Sequence, residues 1–321
     1  MKYSTPLPPS LVDELFQFWD RIFPGEHDIL PHTFLGSEDE HNQFAIYVER
    51  QNGEIVATCN AIYAQANPRL GGLGEVATEP TYQGQGLATK LCHRALTDFR
   101  DRGVEAIFLG TNNWRAARIY HRLGWRKLAG SNVMLNIING HSPEMFLVDY
   151  FRSPGKATVK TSGAFLRLPI IPLLHTPHDW QILDANTAMA STRYEVQGSC
   201  NGLYRRYGYI GRSGFGEWFA AMTDDGRVVG LSTARLNEAK QCYVDGFTHP
   251  MFADCYKSLI DAAIQWGKSS AATSIYSRLS DEDEEKQQLW QSFDFQKIAA
   301  DNQIELGDRH VKMIQYEYTE T

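Results

Sequence analysis

From Glu75 to Thr89 the chain has a short strand-forming run, then the turn Gln83-Gly84-Gln85-Gly86, then Leu87-Ala88 at the start of an amphipathic stretch. A turn without bulky side chains at a helix start leaves several backbone N–H groups unpaired. The positive end of the helix dipole lies at the same point, so a phosphate or pyrophosphate is the natural guest. Gly84 and Gly86 permit the dihedrals and the close approach that such a cradle needs. Downstream, Asn113, Ala116, Tyr120, Gly124 and Trp125 follow at the spacing N-x-x-A-x-x-x-Y-x-x-x-G-W. A phenol, with a pKa of about 10, stays protonated at neutral pH and can act as a general acid. Taken alone, Tyr120 reads first as an aromatic packed on the core from an amphipathic helix, and the spacing to Asn113, Ala116 and Gly124 reverses that preference. Glu75 and Glu79 share one strand face if no bulge intervenes. Either carboxylate could take a proton through water, attract an ammonium group, or simply be solvated.

The elements that must hold these residues are readable from periodicity. Ser10 caps an entry helix over Leu11–Ile22. Phe44–Glu49 and Ile55–Tyr63 form a hairpin about Gln51-Asn-Gly-Glu54, and Glu75–Glu79 is a third strand. Leu87, Leu91, Ala95, Leu96 and Phe99 make the stripe of a helix over Leu87–Arg102, closed by Gly103. Ala106–Gly110 is a short buried strand and Trp114–Leu123 a helix. Trp125–Asn136 and Met145–Phe151 are expected as closing strands.

The second half repeats this order. Trp218–Met222 and Val228–Ala234 form a hairpin, Gln241–Thr248 a strand, and Phe252–Trp266 a helix stopped by Gly267. Ser274–Arg278 is a strand and Asp281–Phe293 a helix, with Phe295–Leu306 and Val311–Tyr318 as final strands. Glu75 and Asp245, Pro80 and Pro250, Tyr120 and Trp290, Trp125 and Phe295 are each separated by 170 positions. Four landmarks at one shift indicate an internal duplication. The expected division is a domain over 1–152 and another over 160–321, joined around the turn-rich Ser153-Pro-Gly155.

The glycine turn and the later motif, in this order and separation, resemble the acetyl-CoA-dependent GNAT N-acetyltransferases. The resemblance spans roughly Phe44 to Leu135, and Gln83-x-x-Gly86-x-Ala88 fits that family's Q/R-x-x-G-x-G/A signature. It implies an α/β (α+β) fold of two tandem domains, each a mixed, mainly antiparallel sheet flanked by helices. It further implies an acyltransferase with acetyl-CoA as co-substrate and a primary amine as acceptor. The backbone of Gln83, Gly84, Gln85, Gly86, Leu87 and Ala88 would then hold the pyrophosphate. In such proteins the preceding strand splays from its neighbour and pairs with the pantetheine arm, a role that falls to Val76, Ala77 and Thr78. Asn113 and Ala116 would lie along that arm, Asn113 serving equally as a helix cap. Tyr120 becomes the general acid, and Glu75 is preferred over Glu79 as base, although ordered water alone can serve.

At the positions matching Gln83–Ala88 the second half has Ala253-Asp-Cys-Tyr-Lys-Ser258, with no glycine and with an acidic residue. Trp290 replaces the tyrosine and Asp294 the glycine. That copy is expected to bind no acetyl-CoA at the usual place and to shape the structure or the substrate site.

Composition narrows the remainder. The chain has 321 residues, is 43% hydrophobic and 21% charged, and carries a formal net charge of −7. This balance disfavours a nucleic-acid binder and tilts toward a small cationic acceptor. No segment reads as a signal core or bilayer span, so a cytoplasmic protein without membrane partners is expected, as monomer or homodimer. The five scattered cysteines read as reduced thiols, and no histidine or cysteine spacing suggests a metal. Glu38-Asp-Glu40 and Asp281–Glu285 read as solvated acidic runs. Gly211–Gly216 matches a cofactor loop only in its glycines, because a strand follows it. The alternative functions are an acyl-CoA-binding sensor or interaction module, and a transferase of another acyl group.

Overall fold

The computed structural model describes residues 1–319 apart from residues 24, 26 and 139. It divides into two units: Met1–Phe146 with Arg167–Pro169 and Gly198–Arg205, and Leu147–Leu166 with Ile170–Gln197 and Arg206–Thr321. Two short stretches from beyond the first half therefore fold with it, which local periodicity does not announce.

The first unit contains β1 (Lys2–Ser4), α1 (Pro9–Ile22), β2 (Asn42–Gln51), β3 (Glu54–Ala64), β4 (Leu70–Thr78), α2 (Leu87–Asp101), β5 (Ala106–Gly110), α3 (Trp114–Arg122), β6 (Arg126–Lys127) and β7 (Val133–Ile137). Helix α1 buries Leu11, Val12, Leu15, Phe18 and Trp19, a single helical face. Helix α2 buries Leu91, Cys92, Ala95, Leu96 and Phe99 in a core shared with Tyr47, Leu73, Tyr120 and Trp125. The β2–β3 turn uses Asn52 and Gly53 at φ 51° and 91°, the left-handed pair of a tight hairpin. The strands run in the order β1-β2-β3-β4-β5-β7-β6, antiparallel except for the parallel β4–β5 pair.

The chain continues with α4 (Pro143–Arg152), β8 (Ala157–Thr161), α5 (Ile170–His175), β9 (Ile182–Asp184), β10 (Met189–Ala190), α6 (Asn201–Arg212), β11 (Gly216–Thr223), β12 (Val228–Leu236), β13 (Gln241–Thr248), α7 (Tyr256–Ser269), β14 (Ser274–Ser280), α8 (Glu284–Gln291), β15 (Phe295–Leu306) and β16 (Arg309–Tyr318). The second sheet runs β8-β11-β12-β13-β14-β16-β15, again with one parallel pair, β13–β14, at its centre. Strand for strand this is the order of the first sheet.

Several expectations about elements are corrected. Residues 145–151 are helical within α4, because Phe146, Leu147, Tyr150 and Phe151 form one buried helical face while Met145 and Val148 are exposed. The expected strand Trp125–Asn136 is the short hairpin β6–β7. Gly267 lies inside α7 instead of ending it: a Cβ there would meet Cys242 Sγ at 2.9 Å, so glycine lets the helix sit on the sheet. The helix expected from Asp281 begins at Glu284.

Candidate functional site

The parallel contact between β4 and β5 covers Leu70–Gly72 against Ala106–Phe108 and no further. Beyond it β4 stays with β3 while Leu109 and Gly110 stay with β7, so the two central strands splay. A cleft of about 310 Å³ opens in the splay, lined among others by Gly74, Glu75, Val76, Asn113, Ala116 and Tyr120.

At one end of this region α2 begins on Gly86, which adopts φ 79° and ψ 9° and is joined by no capping side chain. Gly84 is likewise left-handed at φ 80°, and a Cβ on either glycine would meet nothing within 4 Å. The first intrahelical bond runs from Lys90 N–H to Gly86 C=O at 2.9 Å, so the N–H groups of Leu87, Ala88 and Thr89 precede it. Gln83 is exposed and donates its side-chain amide to Thr78 C=O at 3.2 Å. The exposed, bare helix start has the geometry of an anion cradle.

A bulge sets the direction of Glu75. Asn60 pairs with Gly74 and Thr58 with Ala77, leaving Glu75 and Val76 against Cys59 alone. Glu75 takes up the extra residue at φ 43°. Thr58 Oγ1 pins the bulge by donating to Glu75 C=O at 2.7 Å, and Trp19 Nε1 donates to that hydroxyl at 2.9 Å. The Glu75 carboxyl enters the cleft and accepts from Asn60 Nδ2 at 3.1 Å. Burial pushes its pKa up to about 7, against the opposing Asn60 hydrogen bond, with the Asp28 charge adding to the rise and Arg167 opposing it. A carboxyl poised there can both take and return a proton near neutral pH.

The same bulge separates the two carboxylates that an unbroken strand would have paired. Glu79 lies past the end of β4, heads the short turn Pro80–Tyr82 and sits 3.8 Å from Arg21. It lines a different hollow, with Glu14, Phe18 and Arg21, and so stands apart from Tyr120 and Glu75. The expectation that Glu79 shares the site is corrected on this ground.

Tyr120 reaches the cleft from α3 and is only 6% exposed. Its ring centroid lies 6.1 Å from that of Trp125, whose indole N–H donates to Ile107 C=O. Burial, then the neighbouring Cys92, Cys59 and Glu75, hold the phenol well above its ordinary range, so it is a proton donor throughout the physiological interval. Asn113 caps α3, its Oδ1 accepting from the N–H groups of Arg115 at 2.9 Å and Ala116 at 3.4 Å. Val76 lines the cleft with them, whereas Ala77 and Thr78 are paired to β3.

Sequence reasoning missed the residues that come from far along the chain. Asp28 lines the cleft, and its Oδ2 accepts from Ser199 Oγ at 2.9 Å. A Cβ on Gly74 would lie 2.8 Å from Asn201 Nδ2, and one on Gly110 3.2 Å from Ser199 Cα. These strand glycines are what lets residues 199–201 approach, and glycine inside a strand is the signal that could have announced it. Glu38, expected in a solvated loop, is instead 7% exposed. It accepts from Arg167 Nε at 2.7 Å and Asn42 Nδ2 at 3.0 Å.

The second unit handles the corresponding place differently. Residues 250–255 coil in a short helical turn that runs directly into α7, where no residue is left-handed, so no bare cradle forms. Strands β13 and β14 pair only over Gln241–Tyr243 and Ser274–Tyr276 before parting. Asp283 and Lys286, at the positions matching Asn113 and Ala116, bind the chain's own backbone. The Asp283 carboxylate accepts from Gln181 N–H at 2.7 Å and Ile182 N–H at 3.1 Å, and the Lys286 ammonium donates to the carbonyls of Ile182 at 2.9 Å and Leu183 at 3.0 Å. Asp245, the counterpart of Glu75, forms a fully buried ion pair with Lys286 at 2.7 Å and accepts from Ala185 N–H. The acidic run at 281–285 is thus only partly solvated.

Residues 11–125 match the model of the acetyltransferase (GNAT) family, so the chain carries an acetyltransferase domain of that family over these residues. No curated protein sequence matches the chain. Among solved structures it is similar to the ribosomal-protein-S5-alanine acetyltransferase of Vibrio fischeri, at 9% identity over 51% of this chain and 93% of that one, with a TM-score of 0.41. It is also similar to a phosphinothricin acetyltransferase of Sinorhizobium meliloti in complex with acetyl-CoA, at 11% identity over 50% of this chain and 87% of that one, with a TM-score of 0.38. A spermidine/spermine N-acetyltransferase of Vibrio cholerae gives 12% identity, 50% and 92% coverage and a TM-score of 0.38. Among the described residues no helix is long and apolar enough to cross a membrane, and no cluster of three or more His, Cys, Asp or Glu side chains could hold a metal ion.

Proposed function

We propose that the first unit transfers an acetyl group from acetyl-CoA to the primary amine of a small cationic acceptor. One observation carries this reading: the Glu75 carboxyl, with a pKa of about 7, and the protonated phenol of Tyr120 line one cleft in the splay between β4 and β5, and the chain leaving β4 turns into a bare helix start at Gly86. The backbone N–H groups of residues 83–88 hold the pyrophosphate, and the free edge of β4 near Val76–Thr78 receives the pantetheine arm. Asn113 and Ala116 flank that arm.

Glu75 removes a proton from the acceptor ammonium. The freed nitrogen pair forms a C–N bond to the thioester carbonyl carbon, while a β4 N–H near Val76 donates to the carbonyl oxygen as it gains charge. As the C–S bond breaks, Tyr120 gives its phenolic proton to the departing sulfur, the second proton lost by the new amide nitrogen restores the phenol through solvent, and the proton held on Glu75 is released to bulk water. The second unit takes no part in acyl-CoA binding, because its corresponding slot is filled by residues 181–185.

Calorimetry tests the reading. Acetyl-CoA is expected to bind in the micromolar range, about −8 kcal/mol, and Gly86→Glu to abolish the heat. An unaltered titration in that variant, or none with the native protein, refutes it.

A further inference from the structure

Two carboxylates face the cleft, but the reaction requires only one. Glu75 and Asp28 both line it, on β4 and on the segment after α1, and the Asp28 charge is felt at Glu75. Asp28 is held by the Ser199 hydroxyl, and a Cβ on Gly202 would fall 2.7 Å from its Oδ1, so residues 199–202 grip it closely.

Two buried amides join them. Asn201 is 6% exposed, its head lies against the cleft residue Gly74, and its Oδ1 has no partner among the described residues. Asn60 is fully buried, spends its Nδ2 on Glu75 and leaves its own Oδ1 equally unmatched. An unpaired buried carbonyl oxygen costs about 1–3 kcal/mol, and the Asn201 oxygen is the one that lies behind a cleft residue, Gly74. The cation felt at Glu75, Arg167, pairs with Glu38, and Arg205 donates to His27 C=O beside Asp28.

We infer that the acceptor is a short diamine: one ammonium is deprotonated at Glu75 and acetylated, while the second stays charged at Asp28, in a subsite completed by Ser199 and Asn201 from the second half of the chain. The inference rests on the acetyl-transfer reading and deepens it. A carboxylate-bearing amine meets the charge of Asp28 there and is repelled. The volume of about 310 Å³ equals roughly ten water molecules and has to hold the thioester end as well, which suits a chain of a few methylenes.

Calorimetry with 1,3-diaminopropane, 1,4-diaminobutane and 1,5-diaminopentane against 1-aminobutane and 4-aminobutanoate decides the matter. The best diamine should bind at least about tenfold more tightly than 1-aminobutane, the factor of one charge-assisted hydrogen bond, and 4-aminobutanoate more weakly than either. Asp28→Asn should bring the diamine down to the monoamine level, and Ser199→Ala should remove part of the advantage. Equal affinity for diamine and monoamine overturns the inference, as does an advantage that survives both substitutions. If Asp28→Asn does not fold, the native comparison and Ser199→Ala remain decisive. The acetyl-CoA titration is read separately. Its failure removes the proposed reaction and leaves the diamine preference standing, whereas loss of the preference leaves acetyl-CoA binding intact.

Discussion

Replacing Glu75 by Gln should make the protein more stable at alkaline pH and leave it unchanged in acid. The carboxyl has a pKa of about 7 in the folded protein because burial, its largest cause, disfavours the charge, with Asp28 acting in the same direction and Asn60 and Arg167 against it. In the unfolded chain a glutamate titrates near 4.3. A raised carboxyl pKa means that the folded state holds the proton more tightly. Its contribution to stability is therefore complete below about pH 4 and is lost as pH rises to 7, a full swing of about 4 kcal/mol at 1.36 kcal/mol per unit, of which about 3 kcal/mol falls between pH 4.5 and 8.5. Glutamine keeps the shape and the contact with Asn60 but does not titrate, so any constant offset cancels between two pH values. Melting curves at pH 4.5 and 8.5 should show the variant gaining roughly 6–12 °C relative to the native protein between the two conditions. Burial holds Tyr120 and Cys59 well above their ordinary ranges, so both stay protonated at the two pH values. A difference that is the same at both pH values would refute the poised carboxyl, and with it the base assigned to the reaction. The variant should also lose the limb of kcat/KM that rises through about pH 7.

Tyr120→Phe removes the proton donor while keeping the ring against Trp125, and should lower kcat by about 10²- to 10⁴-fold with little change in acetyl-CoA affinity. Thiol release followed with a reagent active across neutral pH reads this, and an undiminished kcat excludes the phenol as acid. Lys286→Met strands the buried Asp245 carboxylate and two backbone carbonyls, and should destabilise the protein by about 3–5 kcal/mol in denaturant titrations. Acetyl-CoA titrations of that variant should match those of the native protein, and a loss of binding would place the ligand in the wrong unit.

The parts of the site that were legible are those whose chemistry is local. A left-handed glycine at a helix start and the spacing from Asn113 to Tyr120 along one helix are written within a few residues. The orientation of Glu75 was not legible, because a bulge depends on two residues of β4 facing one of β3, and no window of a single strand contains that count. The same displacement takes Glu79 to another surface. Ser199 and Asn201 were beyond reach for a different reason: they meet β4 and β5 from far along the chain. Yet Gly74 and Gly110, glycines with no turn to make, marked the strands they approach.

The second unit shows how a splayed pair of strands is met by the chain's own residues. Parting β13 from β14 exposes backbone edges, and buried polar groups need partners. Residues 181–185 supply them, held through Asp283, Lys286 and Asp245. At the matching positions the first unit has Asn113, Ala116 and Glu75: a neutral cap, a small side chain and a carboxyl left without a lysine. A lysine at 116 would neutralise Glu75 and fill the cleft together. The exchange of alanine for lysine at this one helical position therefore accounts both for an open slot beside a titratable base and for a closed slot locked by an ion pair.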